Sequence, residues 1–295
     1  IIKETYKIKN ISSKTDVDEI DRKYDCYLVG SDQMWNPWVV RPQYLLDFVP
    51  DRSIKPKYSY AASFGVDKLP DDKIRLYRKY LSRFIKISVR EEKAVEIVKD
   101  VSGKQSTLVL DPTFLLEQEE WRKFAMQSTS VKDHDLQDYV ICYFLGDVYD
   151  HMTTVKAIAQ KLGLKTAIIA MKESDYKIHD SDVTVIADAC PYDFISLIDN
   201  ARLVCTDSFH AVVFSFQMNT PFYYYPRFKV DDPGSQDTRL HNIMKRFKLT
   251  ESVWKDEYTI EDMNKHLVPD YSDGYSVLEK ERKYSLSYLL NMIEG

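Results

Sequence analysis

The sequence predicts an α/β fold of two doubly wound domains facing across a cleft, and three observations carry that prediction. Short apolar runs alternate with stretches of helical period along most of the 295 residues. Strands that alternate with helices imply parallel sheets joined by right-handed crossovers. The alternation stops at one polar, aperiodic stretch, STSVKDHDLQD (128–138), and then restarts, which makes that stretch the expected linker. The length also fits two domains, at about 100–200 residues each. The expected organisation is a Rossmann-like domain over 1–127, a second over 139–274, and a terminal amphipathic helix over 275–295 packed back across both.

The elements follow in order. YDCYLVG (24–30) reads as a short buried strand ending in a glycine, and PKYSYAASFG (56–65) as the next strand. In 70–84, Ile74, Tyr77, Leu81 and Phe84 recur at helical spacing behind acidic residues that suit a helix start. IKISVR (85–90) is a strand, EEKAVEIVKD a helix, and STLVLDP (106–112) a strand closed by Pro112, with a helix following through Trp121 to about Met126. After the linker, YVICYFLG (139–146) is a fully apolar strand, and Val155, Ile158, Ala159 and Leu162 mark one face of a helix over 150–162. Strands follow at 164–170 and 183–189, a proline-started helix at 190–201, and a strand-to-turn at 202–208. A helix at 210–218 and a strand at 221–226 complete the second set.

Composition narrows the function. There are 41 Lys+Arg against 46 Asp+Glu, a net charge of −5, with 44% hydrophobic and 29% charged residues. These are values of an ordinary globular protein. The mild acidity argues against nucleic acid as a partner, and no apolar run approaches the roughly 20 residues of a membrane span. Only 8 glycines occur, and neither GxGxxG nor GxxxxGK[ST] is present, which removes the two commonest nucleotide motifs. The four cysteines form no CxxC pair and read as buried, reduced thiols, favouring a cytoplasmic protein. No HExxH, nucleophile elbow or DxD occurs, and the histidines lack metal spacing, so no metal site is expected.

In open α/β sheets ligands sit at the carboxyl ends of strands, so the residues just past each strand carry the most weight. In GSDQMWNP (30–37), Gly30 permits a tight turn, Ser31, Asp32 and Gln33 present donors and acceptors, and Trp35 and Trp38 are candidates to stack on a sugar face. The competing reading is a Ser/Asp cap with core tryptophans. Arg90 ends a strand in SVREE, where a guanidinium can grip a carboxylate or phosphate; an ion pair with Glu91 or Glu92 is the alternative. In LVCTDSFHAVVFS (203–215) a strand ends, Thr206, Asp207 and Ser208 supply cap oxygens, and a helix begins near His210. A helix start favours anions, and a histidine there can bind phosphate or pass a proton. Arg227 and Lys229 follow the last strand and Arg239 precedes a helix. Taken together, Arg90, His210, Lys229 and Arg239 read as a basic pocket in an acidic protein, suited to a small, highly anionic substrate.

These segments, in this order, resemble the polysaccharide pyruvyl transferase family. The matching pieces are YDCYLVGSDQMWNP, YAASFG, ISVREE, LVLDPTFLL with Trp121, FISLIDNARLVCTDSFHAVVFS, and PF followed by basic residues and TRL, over roughly residues 24–250. The resemblance implies a GT-B-like fold and transfer of a pyruvyl group from phosphoenolpyruvate onto two sugar hydroxyls, forming a cyclic ketal without metal or other cofactor. It implies that Arg90 and Lys229 contact the donor's anions and that His210 is the acid or phosphate ligand. The base is then Asp32, with Asp207 as second choice. The acceptor would be a sugar or a lipid-linked glycan, compatible with loose association with the inner face of the membrane and with a homodimer. Two features depart from the family. Several members carry an arginine where this chain has Ser208, and the opening strand and Asn-Gly-type loop are not seen, so the first βα unit is expected to be missing from the sequence. The rival readings are a GT-B glycosyltransferase using a nucleotide sugar and a non-catalytic glycan-binding relative.

Overall fold

The structure, a computed structural model, describes residues 14–227 and 238–294. The described chain forms two compact units, one running up to Asp111 and taking in the residues from Ser287 onward, the other Pro112–Leu286.

The first unit holds α1 (Lys14–Lys23), β1 (Tyr27–Val29), β2 (Lys57–Ala62), α2 (Asp71–Leu81), β3 (Lys86–Val89), α3 (Glu92–Ser102) and β4 (Thr107–Leu108). The strands pair in parallel in the order β1-β2-β3-β4. Their carboxyl ends therefore share one edge, which places the turn after β1 beside Ser63 and Arg90. β2 is buried at every position, as a central strand covered on both faces must be. The core gathers Trp35, Phe64, Tyr77 and Phe84, with ring centroids 5.4 to 5.6 Å apart. Of the four positions at helical spacing, Tyr77, Leu81 and Phe84 are fully buried and Ile74 is partly buried against the same core. Helix α1 was not legible, because only Val17 and Ile20 mark its apolar face.

The second unit runs α4 (Gln118–Ala125), α5 (Ser130–Asp133), β5 (Tyr139–Tyr143), α6 (Tyr149–Leu162), β6 (Lys165–Ile169), β7 (Val183–Ile186), α7 (Pro191–Asp199), β8 (Leu203–Thr206), α8 (Phe209–Met218), β9 (Phe222–Tyr224), α9 (Thr238–Arg246), α10 (Ile260–His266) and α11 (Ser272–Ile293). The last residues of α11 cluster with the first unit. All five strands are parallel, in the order β7-β6-β5-β8-β9. The chain winds outward from β5 to one side and then returns to the other, so the topological switch point lies between β5 and β8.

The division between units falls at Asp111/Pro112, earlier than the polar stretch 128–138. Helix α4 packs within the second unit: Trp121 meets Phe214 edge-on at 5.0 Å, and Phe124 meets Tyr192 at 6.2 Å. The polar stretch itself contains the short α5. The four cysteines are free, Cys142 and Cys205 being buried on adjacent strands. Among the described residues no helix is long and apolar enough to cross a membrane.

Two histidines of this unit couple its stability to pH. His151 lies between the rings of Phe144 and Tyr225, 4.9 Å from each. His266 stacks on Tyr223 at 4.3 Å, with Nε2 2.6 Å from the carbonyl of Phe222. Burial lowers both from ordinary histidine values, and for His151 it outweighs the opposing charge of Asp207. The unfolded chain therefore takes up protons that the native state refuses. The stabilisation is complete above the ordinary value of about 6.5 and is lost as pH falls below it. We expect the melting temperature to drop as pH falls from about 6.5 to 5, and His151→Phe to flatten that drop. An unchanged slope would remove His151 as its source.

Candidate active site

In the first unit the site segment begins at Gly30. Its φ is +127°, and a Cβ there would lie 2.0 Å from the carbonyl oxygen of Tyr60, so only glycine lets the chain leave β1 this close to β2. The following loop is fastened to the end of β2: Ser63 N–H donates to the Asp32 carbonyl at 2.9 Å, and Trp35 N–H to the Ser63 carbonyl at 3.1 Å. Asp32 is held at φ 60°, a left-handed conformation that a non-glycine residue adopts only when its surroundings enforce it. Ser31 and Gln33 are partly exposed in the same turn.

Arg90 follows β3, and its side chain is only 2% exposed. It donates to Asp111 at 2.5 Å, to Asp32 at 2.7 Å and to Glu91 at 3.4 Å. Ser63 Oγ donates to Glu91 in turn. Burial would lower the guanidinium, but Asp111, Glu91 and Asp32 outweigh it and hold Arg90 above its ordinary value. Asp111 and Glu91 are buried, whereas the Asp32 side chain is 58% exposed. These three contacts lie inside its own unit, and one result is a fixed, accessible carboxylate at Asp32.

Trp35 is a core residue. It is 0% exposed, packs against Phe64 and Phe84, and donates Nε1–H to the Tyr44 carbonyl at 2.9 Å. The apolar interior took this ring, so the core reading of the segment holds for Trp35 and no face is left for a sugar. Trp38 is the exposed tryptophan of the segment, at 61%.

In the second unit the site lies at the switch point. Tyr143 of β5 is in register with Thr206 of β8, and Thr206 with Tyr224 of β9. Gly146, Asp207 to His210 and Arg227 therefore leave the sheet at the same edge. Asp207 is buried and accepts from Leu145 N–H at 2.6 Å and Gly146 N–H at 2.7 Å. Its oxygens fasten the β5 loop to the β8 turn. Thr206 Oγ1 donates to the Tyr143 carbonyl at 2.5 Å, a second tie between the same two strands. Ser208 is the N-cap of α8, its Oγ accepting from Ala211 N–H at 3.5 Å. A Cβ at Gly146 would lie 2.9 Å from Asp207 Oδ2 and 3.3 Å from Arg227 Cδ, so the absence of a side chain there admits the arginine alongside the loop.

His210 sits in the first turn of α8, half-buried, on the wall of a cavity of about 430 Å³. The rest of that wall is largely aromatic, with Trp121, Tyr143, Phe194 and Phe214. Lys172, just past β6, donates Nζ to the Gly146 carbonyl at 2.6 Å. Two cations, Lys172 and Arg227, thus reach the loop that Asp207 holds. Lys172 had no sequence signal, since it lies in an aperiodic stretch. Gly146, by contrast, was legible as a glycine closing a strand. Lys229 falls outside the described residues, and Arg239 is placed only as a backbone position in α9. Among the described residues no group of three or more His, Cys, Asp or Glu is placed to hold a metal ion.

Comparison with known proteins adds a family and a fold. The sequence model of a family described as polysaccharide pyruvyl transferase matches residues 1–227. No curated protein matches the chain. Among solved structures, the chain is similar to the UDP-GlcNAc 2-epimerase of Neisseria meningitidis, bound to UDP-GlcNAc. That match has a TM-score of 0.52 at 10% identity and covers 96% of this chain and 83% of the epimerase. A Listeria monocytogenes protein described as a UDP-N-acetylglucosamine 2-epimerase matches with a TM-score of 0.51 at 12% identity, over 90% of this chain and 74% of its own. At such identities the likeness is one of fold: the GT-B type, built from two parallel α/β sheets.

Proposed function

The chain belongs to the polysaccharide pyruvyl transferase family, and from that premise we propose that it moves the pyruvyl group of phosphoenolpyruvate onto two hydroxyls of a glycan or glycan precursor. The observation that carries the reading is the second unit's switch-point edge. There His210 opens α8 while Lys172 and Arg227 flank the loop held by Asp207. A compact donor with a carboxylate and a phosphate needs cations and backbone N–H groups at close quarters, and a helix start beside two cations offers both.

In the proposed reaction His210, as its imidazolium, protonates the donor's methylene carbon, and positive charge develops at C2. A sugar hydroxyl adds to C2 and gives up its proton to a base. The C2–O bond to phosphate breaks, the second hydroxyl closes the ketal, and its proton leaves with the phosphate. One hydroxyl proton replaces the one His210 delivered to carbon, so protons balance. Of the two carboxylates read as bases, Asp32 has accessible oxygen, whereas Asp207 spends its oxygens on backbone N–H groups. Asp207 is therefore the less suited of the two to act as a base. The aromatic wall beside His210 suits the apolar face of a sugar ring. The proposed steps call on no metal ion, and a phosphoenolpyruvate donor accords with a cytoplasmic reaction.

The direct test is the melting temperature with millimolar phosphoenolpyruvate in a metal-free buffer. A ligand that binds only the native state, at about 100 times its dissociation constant, adds about 2.7 kcal/mol of stability. We expect a rise in the wild type that is lost in Arg227→Ala and reduced in Lys172→Ala. No rise with phosphoenolpyruvate, together with a rise on adding a uridine- or guanosine-linked sugar, would replace this reading with glycosyl transfer.

A further inference from the structure

The second unit has another cavity, at the amino end of its sheet rather than the carboxyl end. It has a volume of about 840 Å³ and is bounded by the first turns of α4, the end of α7, the end of α8 and one face of α11. Helix α8 runs from His210 at the switch point to Met218 at this cavity. Its ten residues span about 15 Å at 1.5 Å each. The two sites are therefore distinct.

Four features define what the cavity suits. First, Arg122 is preset: Nε and Nη2 grip Asp199 at 2.9 to 3.2 Å, which fixes the plane of the guanidinium at the wall. Second, Tyr275 is preset: its ring stacks on Phe216 at 4.9 Å and its hydroxyl donates to the Phe216 carbonyl at 2.7 Å. Third, Gln217 is 3% exposed, and its Nε2–H donates to the Thr113 carbonyl at 2.9 Å. Among the described residues its buried Oε1 finds no hydrogen-bond donor. A buried acceptor without a donor is costly, and Gln217 is one of the residues of the cavity wall. Fourth, the charges are wrong for an anion. The wall carries Glu117, Glu119, Asp199 and Glu279 against Arg122 and Arg282, and Lys283 pairs with Glu279 at 2.6 Å, which leaves a smaller excess of carboxylate.

These features converge on one ligand class. Carboxylates repel phosphates and acidic sugars, while polar walls give little to an apolar ligand. Carboxylate, guanidinium and amide planes beside an aromatic ring match vicinal hydroxyls and the apolar face of an uncharged sugar. The volume lies within the 300–1,000 Å³ typical of ligand sites. We propose that this cavity is a second glycan-binding site, taking an uncharged run of sugar units away from the reacting end. The proposal rests on the cavity's own walls and not on the identity of the donor.

The test uses three neutral trisaccharides, maltotriose, cellotriose and β-1,4-galactotriose, at millimolar concentration with the full chain. Saturation-transfer NMR detects contact and calorimetry gives the affinity. We expect at least one to bind the wild type, with Tyr275→Ala and Arg122→Gln each weakening it tenfold or more. His210→Ala and Arg227→Ala should leave that affinity unchanged. Because Tyr275 also packs on Phe216, exposed Glu279→Ala serves as a variant that cannot fail through misfolding, with a smaller loss expected. Binding of none of the three, or binding that survives the Tyr275, Arg122 and Glu279 variants but disappears in His210→Ala, overturns the proposal. Failure of phosphoenolpyruvate to bind would leave it untouched.

Discussion

Replacing Arg90 by methionine is expected to destabilise the protein by about 3–5 kcal/mol, read as a lower midpoint in denaturant. The reason lies in what remains behind. Asp111 and Glu91 have side chains only 1% and 7% exposed, and their compensating charge is the guanidinium. Without it, two buried carboxylates lose the cation that both contact, and such groups must be protonated or reached by water at a cost of several kcal/mol. The cycle that separates this from lost packing is Arg90→Met with Asp111→Leu. Removing Asp111 as well should restore part of the loss, with Glu91 still buried, because an apolar pair of similar volume is often no less stable than a buried ion pair. If Arg90→Met left the midpoint unchanged, the ion-pair account of this cluster would be wrong. The same result decides how donor binding is to be tested. A donor-binding defect in an Arg90 variant reports on folding as much as on contact, which is why Arg227 and Lys172 carry that test.

His210→Ala is expected to lower turnover by about 10²–10⁴-fold, the range contributed by a positioned acid or base. Turnover is read as phosphate released from phosphoenolpyruvate, with the acceptor glycan or with water in its place. The melting temperature should move little, since His210 is half-buried in the first turn of α8 and the helix is capped by Ser208 rather than by the histidine. His210→Gln separates two roles. Glutamine keeps a hydrogen-bond donor for phosphate but cannot deliver a proton at neutral pH. Loss of turnover with retained phosphoenolpyruvate binding identifies the acid, whereas loss of both identifies an anion ligand. Normal turnover in both variants would remove His210 from the chemistry.

The spacing of Ile74, Tyr77 and Leu81 marked the core-facing side of α2, with Phe84 buried just past its end. The Thr-Asp-Ser turn before α8 was legible because cap chemistry is local: Ser208 needs only the N–H three residues on. Gly30 and Gly146 were legible as strand ends, although what each admits was not. Trp35 could be read as a ligand platform or as core, and the core claimed it because Phe64 and Phe84, distant in sequence, close over both sides.

What the sequence determined by itself is whatever has a short period: the run of strands and helices, the α/β class, the two sets of elements, and the caps and turns at strand ends. Such features depend on residues within a turn or two of each other, so the pattern is complete in any window of the chain. What only the tertiary structure decided is where charges and polar atoms find partners. Arg90 is matched by Asp32 and Asp111, 58 and 21 residues away; Lys172 reaches Gly146 across 26 residues; Asp207 ties a loop 61 residues back. Those pairings follow from strand order and register. A basic residue past a strand therefore reads the same in sequence whether it will grip a ligand or a neighbouring carboxylate.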